Sequence, residues 1–91
     1  MTEEELWSIA EHVEPDILPR LATHLSFGTA DFLRMEDTYR NEPLRFIFMV
    51  LWRWRENQPE SHLNRKKLTG VLCDLNKVRL AKMVAVKSYR K

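Results

Sequence analysis

Apolar residues recur along this chain at the spacing of one helix face. Proline, glycine and short polar runs interrupt the recurrence. In "TEEELWSIAEHV", residues 2–13, Leu6, Ile9, Ala10 and Val13 stand at i, i+3, i+4 and i+7, which predicts an amphipathic helix. Thr2 and Glu5 have the spacing of a capping box, and the early glutamates suit the positive end of a helix. "EPD" breaks the pattern, which returns in Leu18, Leu21, Ala22 and Leu25. Asp16 is the expected cap of this second helix, and Pro19 is tolerated because it falls in the first turn. After "SFGT", with Thr29 as the expected cap, a short helix from Ala30 to about Asp37 is predicted to bury Phe32 and Met35.

"YRNEP" is the next break. Pro43 suits a first helical turn, with Asn41 or Glu42 as cap, and the helix runs to about Glu56. "NQPES" ends it. A fifth helix starts near Asn64 and is expected to bury Leu68, Val71, Leu72 and Leu75, at i, i+3, i+4 and i+7, with Gly70 inside it. A sixth, from about Lys77, carries Leu80, Ala81 and Val84 and then frays into the basic tail "KSYRK". The expected architecture is all-α: a six-helix antiparallel bundle, one domain over residues 1–91, with its core at about 3–86.

The fourth helix departs from simple amphipathicity. "FIFMVLWRW", residues 46–54, opens with seven consecutive apolar residues. A membrane-spanning helix needs about 20, and Arg45, Arg53 and Arg55 bracket the run, so a membrane role is rejected. On a helical wheel Leu44, Ile47, Leu51 and Trp54 share one face, with Phe48 at its edge. That face is read as core. Phe46 and Met49 then fall opposite it, on a line with Arg53, and Trp52 on a third side. Three large apolar side chains outside the core face predict a contact patch, because tryptophan and arginine are favoured interface residues; the alternative is that neighbouring loops or the terminal helices bury them.

Composition sharpens this picture. The chain is 44% hydrophobic and 31% charged, with two glycines and four prolines, which suits a helical globule. Cys73 is the only cysteine, so an internal disulfide is excluded and a reducing, cytoplasmic setting is expected. The acidic start lacks the form of a signal peptide. The net charge of +2 hides a division: residues 1–45 carry ten acids and four bases, and residues 46–91 three acids and eleven bases. Such a dipolar chain can dock acidic face to basic face. Glu14 and Asp16 are candidates on the acidic side, and Arg65, Lys66 and Lys67 on the basic side.

No catalytic constellation is expected. Two isolated glycines make no phosphate loop. His12, His24, His62 and Cys73 share no metal-ligand spacing, and Glu36 and Asp37, adjacent on a helix, do not face each other. No cofactor, metal or small-molecule substrate is expected. Nucleic-acid binding through "NRKKL" and the tail is the alternative reading, weighed against by the acidic first half. A purely structural domain within a larger protein is another.

The order of signals resembles the death domain, a six-helix antiparallel bundle of apoptotic and innate-immune signalling. Leu21, Ala22 and Leu25 look like the Leu-Ala-x-x-Leu of its second helix. Phe32, Met35 and Glu36 fit its third, Leu51 and Trp54 its fourth-helix Leu-x-x-Trp, and Leu68, Leu72, Leu80 and Ala81 its closing pattern. "MEDTY" looks most like adaptors that recruit initiator caspases. Leu18 stands where a tryptophan often enters helix two. Phe46, Met49 and Trp52 occupy fourth-helix positions that are usually charged, and Leu33 one that is usually polar. The Arg-x-Asp-Leu motif of death-effector domains is absent at Arg79, Leu80 and Ala81. The resemblance implies non-covalent assembly with other death domains or with itself, by asymmetric head-to-tail contacts. Phe46, Met49, Trp52, Arg53 and Leu33 are the expected contacts, with the charged residues named above.

Overall fold

A computed structural model describes residues 2–57 and 64–88. Their order is α1 (Glu3–His12), a 3-10 turn (Pro15–Ile17), α2 (Leu18–His24), α3 (Thr29–Thr38), α4 (Pro43–Glu56), α5 (Asn64–Asp74) and α6 (Val78–Val86), with no strand among them. The expected break at "NQPES" lies, beyond Asn57, outside the described residues, as do the last three residues of the tail.

The starts of the first four helices differ in cause. Thr2 caps α1 by accepting from the Glu5 backbone N–H at 3.1 Å. The reciprocal half of the expected capping box is missing because the Glu5 carboxylate is engaged with Arg65. Asp16 does not cap α2. "EPD" folds into a 3-10 turn that runs directly into the helix, so Ile17 occupies the cap position with helical backbone. Thr29 likewise is the first residue of α3, and Gly28 precedes it as cap. Pro43 opens α4 as expected, with Glu42 at the cap.

Helices α2 and α5 stop in the same way. Ser26 and Asn76 adopt the left-handed conformation, φ 65° and 63°. The next residues then turn back, with Phe27 donating to Ala22 O at 3.0 Å and Lys77 donating to Leu72 O at 2.8 Å. This is the Schellman termination, here made without glycine.

The apolar residues expected on α1 and α2 are all buried, as are Leu68 and Leu72 on α5 and Leu80, Ala81 and Val84 on α6; Val71 and Leu75, also expected inside, are half-buried against the core. Helix α1 packs on α4, and α5 pairs with α6. Helix α3 is held least: Met35 is its one fully buried residue, and Phe32 leans on Phe46 with ring centroids 5.3 Å apart.

Helix α4 is the centre of the core. Phe46, Ile47, Phe48, Val50, Leu51 and Trp54 are all buried. At 100° per residue these positions cover about 200° of its circumference. Two neighbours require so wide an arc. Helix α1 lays Trp7 flat on Phe48, with centroids 4.0 Å apart and rings 6° from parallel. Helix α3 meets the other side through Phe32 and Phe46. Phe46 is therefore core, 8% exposed, and the expectation of an outward Phe46 is corrected. Leu44, expected inside, is 41% exposed in the first turn.

Candidate functional site

With about 200° of α4 buried, a narrower strip faces outward. It consists of Arg45, Met49, Trp52, Arg53 and Glu56. The three charged residues are exposed, and Met49 and Trp52 are half-buried with part of their surface against the core. The strip is narrower than the wheel predicted, because Phe46 has left it. Trp52 and Arg53 lie about 100° apart on the helix, with Met49 between the two sides. Arg45 pairs loosely with Glu42 at 3.7 Å, both more than half exposed, which contributes little to stability. Arg53 lines a shallow cleft with Asp31, Asn57 and the Leu25–Gly28 turn. Leu33 stands on the outer side of α3, 55% exposed.

The basic cluster at the start of α5 does not act as a unit. Arg65 turns inward: its guanidinium holds the Glu5 carboxylate as a fork, with Nη2 donating to Oε1 at 2.7 Å and Nη1 to Oε2. Nη1 also donates to the Val84 carbonyl at 2.8 Å. One side chain thereby ties the starts of α1 and α5 to the end of α6. Both partners are mostly shielded from water, and a bidentate charge-assisted pair in that setting is strong and directional. Arg65 is therefore a structural clasp, while Lys66 and Lys67 remain exposed beside it. Glu14 meets Lys77 at 3.4 Å and stays mostly exposed. Asp16 is exposed on the 3-10 turn. The candidate residues thus fall on separate regions, not one pocket.

Neither pair is legible in the sequence, because the partners lie 60 and 63 positions apart in the chain. Asn64 was also missed. It is 1% exposed, and neither amide atom has a hydrogen-bond partner among the described residues. No periodicity marks a polar residue for burial at a helix start. Among the described residues there is no group of three or more His, Cys, Asp or Glu side chains able to hold a metal, and no helix long and apolar enough to cross a membrane.

No family model matches this chain, and no curated protein or solved structure does either.

Proposed function

We propose that the chain is a death-domain-like module that assembles non-covalently with like domains, copies of itself included, in a signalling complex. No catalysis is implied. The observation that carries the reading is the outward strip of α4. There a tryptophan and a methionine are held half-exposed between arginines on the most deeply packed helix of the bundle. Rigid placement limits the ordering cost of binding, and aromatic and arginine side chains supply much of the energy at protein interfaces. The motif residues of the resemblance support it as well. Leu21, Ala22, Leu25, Met35, Leu51, Trp54, Leu68, Leu72, Leu80 and Ala81 are buried, as core positions of such a bundle must be, whereas Phe32 is half-buried and Glu36 exposed.

Head-to-tail contacts of this kind do not use up their own surfaces, so assembly continues past two chains. Light scattering over a concentration series, at low and high salt, tests this. The expected outcome is a mass that climbs beyond a dimer as concentration rises. A mass that never exceeds two chains under any condition argues against the reading.

A further inference from the structure

Helices α1 and α6 lie side by side and antiparallel. The Glu5–Arg65 pair and the Arg65 bond to Val84 O join the start of α1 to the end of α6. The Glu14–Lys77 pair joins the chain just after α1 to the residue just before α6. Each helix turns an unshared charged ridge outward. On α1 the ridge is Glu4, Ser8 and Glu11, at i, i+4 and i+7. On α6 it is Val78, Lys82 and Val86, at i, i+4 and i+8, flanked by Arg79.

Glu4, Glu11, Arg79 and Lys82 are exposed, and none has an ion pair among the described residues. Val78 and Val86 are 48% and 69% exposed, so this nine-residue helix carries both apolar surface and positive charge outward. Two of the charges also sit at the wrong end of their own helix. Glu11 is at the negative end of α1 and Arg79 at the positive end of α6, where helix dipoles oppose them. Helix stability does not account for either.

An acidic ridge beside a parallel basic ridge is self-complementary. A two-fold axis running between the ridges brings the α1 ridge of each copy onto the α6 ridge of the other, twice over. We propose that the α1–α6 face binds a second copy of this chain in a closed, reciprocal dimer, with Glu4 and Glu11 of each copy meeting Arg79 and Lys82 of the other. Val78 and Val86 supply the apolar part of the contact. The proposed contact uses residues of α1 and α6 and none of the α4 strip, so it does not rest on the assembly proposed above.

Charge swapping tests the proposal. Arg79→Glu with Lys82→Glu makes both ridges acidic, and Glu4→Lys with Glu11→Lys makes both basic. All four positions are exposed, and circular dichroism melts verify that each variant folds. In sedimentation velocity at low salt, each pair is expected to weaken dimerisation about tenfold or more. Mixing the two variants, or combining all four changes in one chain, is expected to restore it. Each measurement is repeated with Met49→Lys and Arg53→Glu added, so that α4-mediated growth is removed while the dimer persists. Dimerisation unaffected by the paired changes, or lost and not restored by the swap, overturns the proposal. So does a chain that stays monomeric while binding phosphatidylserine vesicles or a DNA duplex through Arg79 and Lys82, which would assign the ridge to a membrane or to nucleic acid.

Discussion

Arg65 shows how a single residue changes meaning once its surroundings are known. In sequence it belongs to a run of three bases at a helix start, where positive charge opposes the dipole. In the fold it leaves that run and closes on Glu5 and the Val84 carbonyl. Removing one partner strands the other charge in a mostly shielded site, so Arg65→Ala is expected to cost about 2–3 kcal/mol. Chemical denaturation measures this directly. A double-mutant cycle with Glu5→Ala should return a coupling energy well above the ~0.5 kcal/mol of an exposed pair. Lys66→Ala, on the solvent side, should change stability by no more than about 0.5 kcal/mol. Gly70 is a second informative residue. It lies exposed inside α5, and a Cβ there meets nothing within 4 Å. Gly70→Ala is therefore expected to stabilise the protein by about 0.5–1 kcal/mol.

Among the elements, α4 separates what periodicity reveals from what it hides. Its boundaries, its proline start and the burial of Ile47, Leu51 and Trp54 were legible, because they depend on local spacing. The width of its buried arc was not, because it depends on which helices flank it. Trp7 comes from the first helix to cover Phe48, and Phe32 from the preceding helix to cover Phe46. Phe46→Glu is accordingly expected to unfold the domain, since a charge would replace a ring in the core. Arg53→Glu, on the outer strip, should leave the melting temperature nearly unchanged. Comparable melts for the two variants would mean the arc is misplaced. Helix α3 is the converse case. It buries one residue fully, so its amides should exchange with solvent faster than those of α1, α4 and α5. Hydrogen exchange followed by mass spectrometry resolves this helix by helix.

At the scale of the whole molecule, the helix count and nearly all the core followed from the repeat of apolar positions and its punctuation. The charge division did not translate so simply. Some of it is used internally, at Glu5–Arg65 and Glu14–Lys77, where the acidic first half meets the basic second half within one chain. What remains outside includes a strip on α4 and two opposed ridges on α1 and α6, and these positions depend on packing that no local pattern encodes. The central claim is that the α4 strip carries assembly with like domains. Sedimentation velocity of the wild-type chain beside the Met49→Lys, Arg53→Glu variant, over the same concentrations, tests it most directly. The account predicts species larger than a dimer for the wild type, and their loss in the variant with its melting temperature within a few degrees of wild type. Identical size distributions for the two folded proteins would contradict it.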